Sequence, residues 1–229
     1  VGALDWSTIA TALESDGFAV TPPLLAAAEC RALARTFDDD RRFRQTVEMA
    51  RHRFGEGRYR YFAEPLPRLV ATMRSEIYRR LAPIARHVAR ALGDDLTVPA
   101  TFAAFRTFCA ARGQQRPTPL LLRYTAGGYN CLHQDLYGEI VFPLQLTCML
   151  SEPGKDFTGG EFLLVEQRPR MQSRGHAITL AQGAVVIFPC RERPARGARG
   201  VYRVGVRHGV ATVRSGVRTT LGIIFHDAR

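Results

Sequence analysis

Lysine is almost absent from this 229-residue chain: Lys155 is the single one among 32 lysines and arginines. Cysteine is scarce and unpaired in pattern. Cys30, Cys109, Cys131, Cys148 and Cys190 are odd in number and form no CxxC pair. That argues against a disulfide framework or a thiolate zinc site and fits a reducing cytoplasm. No run of 18 apolar residues is present, which argues against a transmembrane helix. The opening stretch VGALDWSTIATALESDGF carries acids and lacks the basic start and apolar centre of a secretory signal. Internal repeats and low-complexity tracts are also missing.

What is present is ordinary in bulk and biased in charge. The apolar and charged fractions, 46% and 23%, are those of a globular protein able to bury a sizeable core. The length suits one domain with an extension, or two small ones. The net charge of +11 attracts polyanions: nucleic acid, an anionic membrane or an acidic substrate. Because arginine supplies nearly all of it, GC-rich coding explains the excess as well as function does.

Apolar spacing predicts helices over 6–14, 23–37, 66–92 (with Pro83 as a kink point) and 101–111. A turn and a short strand lie in DGFAVTPP between the first two. Beyond RGQQRPTP the texture changes to short apolar segments separated by turns, at 119–125, 130–135, 140–150, 160–166, 176–180, 184–189, 201–213 and 217–225. About eight closely spaced strands suggest a sandwich, barrel or jelly roll. The expectation is a helical region, 1–112, packed on a β-rich core, 113–229, as one composite unit.

The chemistry concentrates in RYTAGGYNCLHQDLYGE, 123–139. In a strand, residues two apart share a face, so His133 and Asp135 point together and Gln134 points away. An imidazole and a carboxylate on one face make two-thirds of a 2-His-1-carboxylate triad. His176, His208 and His226 are candidates for the third ligand. In VYRVGVRHGV the alternation places Tyr202, Val204, Val206 and His208 on one face. Ten residues later, Arg218, Thr220, Gly222 and Ile224 share a face. A guanidinium buried in a β-rich core needs an anionic partner, and with a hydroxyl two residues on it can clamp a small carboxylate.

His133-x-Asp135, a late His208 and Arg218 ten residues on resemble the 2-oxoglutarate/Fe(II)-dependent dioxygenases. The resemblance implies a mainly β fold with N-terminal helices (α+β), a double-stranded β-helix or jelly-roll barrel. It implies His133, Asp135 and His208 as Fe(II) ligands. Arg218 matches the residue that pairs with the distal carboxylate of 2-oxoglutarate, and Thr220 sits where the family often has a serine. Tyr124, nine residues before His133, resembles the tyrosine of AlkB-type demethylases that hydrogen-bonds 2-oxoglutarate. Gly127 and Gly128 turn the chain between them. GGEFLLVEQ, 159–167, is similar to the strand after HxD in the prolyl-hydroxylase branch. RPTPLLLRY, NCLHQDLYGE, GGEFLLVEQRPR and GIIFHDAR resemble a bacterial subgroup labelled as nucleic-acid-modifying oxygenases. Leu122 stands where AlkB-type proteins usually place an asparagine, so their substrate does not carry over. The activity implied consumes O2 and 2-oxoglutarate, releases succinate and CO2, and hydroxylates or oxidatively demethylates a substrate.

The segment RHRFGEGRYRYF, 51–62, interleaves arginines with aromatics, and Arg58, Tyr59, Arg60 and Tyr61 are candidates to hold single-stranded nucleic acid. RERPARGARG, 191–200, is a second arginine-rich loop near the expected mouth. Other readings stay open: a prolyl-type protein hydroxylase, or a non-catalytic ligand-sensing jelly roll. A zinc hydrolase would use similar ligands but gives Arg218 and Thr220 no role. His226 is expected to be structural or beside the site, and His176 to have no role.

Overall fold

The computed structural model describes residues 4–198 and 200–229. In chain order the elements are α1 (Trp6–Ser15), β1 (Ala19–Val20), α2 (Ala27–Arg35), β2 (Phe43–Glu48), β3 (Gly55–Glu56), β4 (Arg58–Phe62), α3 (Arg68–Leu92), α4 (Phe102–Ala110) and β5 (Leu120–Thr125). There follow β6 (Tyr129–His133), β7 (Leu144–Met149), β8 (Phe157–Gly159), β9 (Phe162–Gln167), β10 (Arg174–Ile178), β11 (Val185–Pro189), β12 (Glu192–Gly197), β13 (Gly200–Val210) and β14 (Val213–Ile224).

Two antiparallel sheets face each other as a jelly roll. The larger runs β1-β11-β7-β14-β5-β4-β2, with β8 paired to β14. The smaller runs β10-β9-β13-β6-β3, with β12 on β13. Strand alternation divides the large sheet's two faces. Leu121, Leu146, Ile187, Leu221 and Ile223 point outward and pack with the helices. Tyr124, Met149, Val186 and Phe188 point inward, against Phe162, Leu164 and Val206 of the small sheet.

The helices form where local chemistry starts and stops them. The Asp5 carboxylate caps α1 by accepting from the backbone N–H groups of Ser7 and Thr8. In α3 the buried positions Val70, Met73, Ile77, Tyr78, Leu81 and Ala85 repeat at three and four residues, which builds one apolar stripe. This helix is a single 25-residue element that continues through Pro83 and ends on Gly93 in the left-handed conformation.

Strands are more numerous than the sequence predicts. The region up to residue 112 is not only helical: β1 pairs β11, and β4 pairs both β2 and β5, so both ends of the large sheet come from it. The stretch 191–200, expected as an exposed loop, contains β12, one arm of a hairpin with β13. Arg193 within it is buried in an ion pair with Glu166 at 2.5 Å. Among the described residues, no helix is long and apolar enough to cross a membrane.

Candidate metal and cosubstrate site

Strand pairing brings the two histidines together. His133 ends β6 and lies directly opposite His208 of β13, with ring centroids 4.2 Å apart. β6 stops before Asp135, two residues short of the predicted end. The chain beyond it still turns the Asp135 carboxylate onto both rings: Oδ1 is 3.7 Å from His133 Nε2 and Oδ2 is 3.2 Å from His208 Nε2. One ligand atom from each residue falls within 4.8 Å of the others, a spacing suited to one metal ion.

The surroundings set the ligand chemistry. His133 Nδ1 lies 2.8 Å from the carbonyl oxygen of Cys131, so that nitrogen carries the proton and Nε2 keeps its lone pair for a metal. Burial, above all, holds the His208 imidazole below its ordinary pKa, which favours the neutral, ligating form. Its ring is packed by Phe188 and Phe162, at 4.7 and 5.9 Å. Burial pushes the Asp135 carboxyl up, but hydrogen bonding to His208 and the neighbouring imidazoles outweigh it and hold the group well below the usual carboxylate range. Asp135 Oδ1 also accepts from the Tyr137 hydroxyl at 2.7 Å, and Tyr61 donates to the Tyr137 oxygen at 2.9 Å. Tyr137 escaped the sequence reading. Its signal was there: it continues the two-residue spacing of His133 and Asp135. Gln134 does point away, and its amide donates to the carbonyls of Val206 and Arg191, which ties the loop after β6 to the barrel wall.

Arg218 lies fully buried on β14, opposite Tyr124 of β5. None of its three guanidinium nitrogens has a hydrogen-bond partner. Burial pushes its pKa down to about 10. A buried cation without a counter-ion costs several kcal/mol, roughly, and a carboxylate placed there would remove that cost. The room for it is made in part by Gly160, where an added Cβ would sit 2.8 Å from Arg218 Cδ. Thr220 is on the same face, and Tyr124 lies 5.7 Å below the guanidinium, its hydroxyl accepting from Asn130 at 3.2 Å. One cavity of about 460 Å³ joins Arg218, Thr220 and Tyr124 to the His133–Asp135–His208 cluster. Three protein ligands leave open positions on an octahedral metal, and an unpaired guanidinium lies within the same space. The donors therefore fit Fe(II) chelated by a keto diacid.

The 51–62 segment divides by strand parity. Tyr59 and Tyr61 face this cavity from β4. Arg58 and Arg60 point the other way, out of the cavity. Arg60 is buried, bonded to Asp40 at 2.6 Å, to Thr46 Oγ1 at 3.0 Å and to the carbonyl of Phe37. Arg58 is paired with Glu48. At the mouth stand residues from the start of that segment: Arg53 and Phe54 line the cavity, and His52 stacks on Phe54. His226 is fully buried, and its Nδ1 accepts from the Phe142 N–H at 3.2 Å, a structural role. His176 packs edge-on against Phe18, away from the cluster.

Comparison with known proteins agrees with this chemistry. Residues 57–228 match the model of a family described as an oxygenase catalysing oxidative methylation of damaged DNA. Two sequences of Mycobacterium tuberculosis, from strains H37Rv and CDC 1551, are each 50% identical over 167 residues, covering 73% of this chain and 72% of theirs; both are named only as uncharacterized proteins. A prolyl-4-hydroxylase from Pseudomonas putida superposes with a TM-score of 0.58 at 15% identity, over 98% of this chain and 99% of that one. A prolyl hydroxylase from Trichoplax adhaerens gives 0.56 at 13%, over 97% and 89%. The 2-oxoglutarate-dependent carbocyclase SnoK of nogalamycin biosynthesis gives 0.55 at 14%, over 99% and 85%. The structural likenesses share the fold, the double-stranded β-helix. With the family model spanning most of the chain and the ligand cluster in place, this protein belongs to that oxygenase family, within the 2-oxoglutarate- and Fe(II)-dependent oxygenases.

Proposed function

We propose that this oxygenase acts on nucleic acid, taking a base from a single strand or flipped from a duplex, and hydroxylates it or removes an N-alkyl group from it. The observation that carries the reading is the mouth of the cavity. His52 and Phe54 stack there at 5.3 Å with planes 23° apart, and Phe54 is 47% exposed. Arg53, between them in sequence, lines the same cavity. An exposed aromatic face stacks bases, and a neighbouring guanidinium tracks phosphate. A base inside a duplex cannot reach a metal on a barrel floor, so single-stranded or extruded bases are the natural targets. The net charge of +11 and the description of the matching family favour the same class.

The chain's own residues supply placement. His133, Asp135 and His208 would hold Fe(II), Arg218 and Thr220 would anchor the distal carboxylate of 2-oxoglutarate, and the rings of Phe162 and Phe188 would keep water from the His208 side. Bound there, the metal and keto acid would supply the oxidation with O2 as oxidant, one oxygen atom going to succinate with release of CO2 and the other into a substrate C–H bond. Where that carbon is attached to nitrogen, the hydroxylated product loses an aldehyde, and the outcome is demethylation.

Succinate release is measured with pools of alkylated single-stranded oligonucleotides and with peptide pools. The oligonucleotides should stimulate it. Their affinity should fall steeply with salt, because each neutralised phosphate releases counterion. Arg53→Ala should flatten that dependence, and Phe54→Ala should weaken binding without changing the slope. Stimulation by peptides alone, with no oligonucleotide binding at low salt, would replace this reading with a protein hydroxylase.

A further inference from the structure

Gln145 lies on the inward face of β7 and is 2% exposed. Its amide nitrogen is buried and has no hydrogen-bond partner. A buried amide donor left unmet is destabilising, so such a group calls for an occupant that accepts from it. Across the strands it sits beside Ile224 of β14 and Phe188 of β11. Around it the cavity is apolar and aromatic: Tyr61, Leu120 and Ile224 form one buried cluster, with Tyr59 and Tyr137 packed against it.

Its place along the sheet separates it from the cosubstrate. Arg218, Thr220, Gly222 and Ile224 form one inward row on β14, and Gln145 is level with the last of them. Six residues of strand span roughly 20 Å. A five-carbon diacid anchored at Arg218 covers less than half of that distance. Phe188, the other neighbour of Gln145, packs on His208 at 4.7 Å. Gln145 therefore faces a chamber on the metal's side away from Arg218, where a substrate would lie.

We propose that Gln145 is the specificity-determining residue of this chamber, its amide hydrogen-bonding the edge of the substrate base. The proposal rests on the nucleic-acid reading above. An amide presents a donor beside an acceptor, and that pair matches a base edge carrying an acceptor beside a donor. The tyrosine rings of the chamber supply flat apolar walls for the same planar group.

The test uses single-stranded oligonucleotides of one sequence carrying an N-methylated base, an unmodified base or an abasic site at the centre. Binding is followed by fluorescence anisotropy with Fe(II) and 2-oxoglutarate under nitrogen. Gln145→Met, close in shape, should bind the base-bearing strands about tenfold more weakly than the wild type, as expected for one lost base contact. It should bind the abasic strand and 2-oxoglutarate as the wild type does. Gln145→Glu, which keeps the acceptor and loses the donor, should change the order of preference among bases; it also carries the comparison should the methionine variant fail to fold. Base-bearing strands that bind the wild type and both variants alike would overturn the role of Gln145 alone. So would a raised 2-oxoglutarate requirement, which would move Gln145 to the cosubstrate. Oligonucleotides that do not bind the wild type at all would overturn the proposal together with the substrate reading beneath it.

Discussion

Arg74 and Arg218 are both fully buried, and they stand on opposite sides of the same large sheet. On the helix side, Arg74 of α3 donates to the carbonyls of Ile224 and Phe225, to Thr118 Oγ1 and to the Asp227 carboxylate at 2.7 Å. Asp227 in turn holds Arg106 at 3.1 Å. On the cavity side, Arg218 has aromatic rings about it and no hydrogen-bond acceptor. The two sites share a strand and a depth of burial, and they differ in saturation. A buried guanidinium that is already paired ties elements of the fold together. One that lacks an acceptor marks where a ligand's charge belongs.

The comparison breaks most visibly at the metal. Asp135→Ala should abolish iron-dependent succinate formation and sharply weaken iron binding, while thermal unfolding stays near that of the wild type. Iron titration and calorimetry on one sample check this, and normal iron affinity in a folded variant would remove Asp135 from the ligand set.

Next come the two arginines themselves. Arg74→Met should destabilise the protein by about 3–5 kcal/mol, since it leaves Asp227 deep in the fold without its main partner. Arg218→Met should cost no stability in the absence of 2-oxoglutarate. The wild type should gain about 2.7 kcal/mol at a 2-oxoglutarate concentration a hundred times its Kd, and Arg218→Met should gain less than about 1 kcal/mol at that concentration. In turnover, the variant's half-saturation for 2-oxoglutarate should rise about 30-fold or more. Equal destabilisation by both substitutions would mean that Arg218 is structural too.

A smaller effect is expected one shell out from the metal. Tyr137→Phe removes the hydroxyl that donates to Asp135 and should weaken iron binding by about tenfold, with the fold unchanged. Unaltered iron affinity would show that the two imidazoles suffice to aim the carboxylate.

The smallest concerns acid stability at His226. Burial, and then the charge of Arg74, hold the His226 imidazole down to about 3. Between its ordinary value of 6.5 and that depressed value, the unfolded chain takes up a proton that the folded chain refuses. The stability from this group is therefore complete above the ordinary value and is lost as pH falls through the window below it. The loss should be about 1.4 kcal/mol one pH unit below the ordinary value. His226→Asn, which can still accept from the Phe142 N–H, should show a shallower decline in denaturant titrations over that window. An identical decline would assign acid sensitivity to the carboxylates.

Local order in the sequence was enough to pick out the candidate residues that the fold gathers around one cavity. A spacing of two joined His133 to Asp135 and Arg218 to Thr220, because strand side chains alternate whatever the strand pairs with. The same rule made RYRYF ambiguous. An arginine–tyrosine alternation suits an exposed nucleic-acid loop and a paired strand equally well, and only the pairing of β4 with β2 and β5 sends its tyrosines inward and its arginines to Asp40 and Glu48. Tyr137 and Gln145 gave less away. A tyrosine in the loop two residues past Asp135 and a glutamine in an apolar strand take on their roles only once the cavity is drawn around them.

From the chain alone came the candidate groups: two imidazoles, a carboxylate and a late guanidinium, each on a segment with strand-like alternation. Tertiary structure alone decided that His208 would lie opposite His133, that Arg60 would be paired and Arg218 left open, and that Gln145 would face the cavity. Alternation is a property of a few consecutive residues. Register, and the presence or absence of a partner for a buried charge, depend on strands brought together from distant parts of the chain, and no local pattern encodes them.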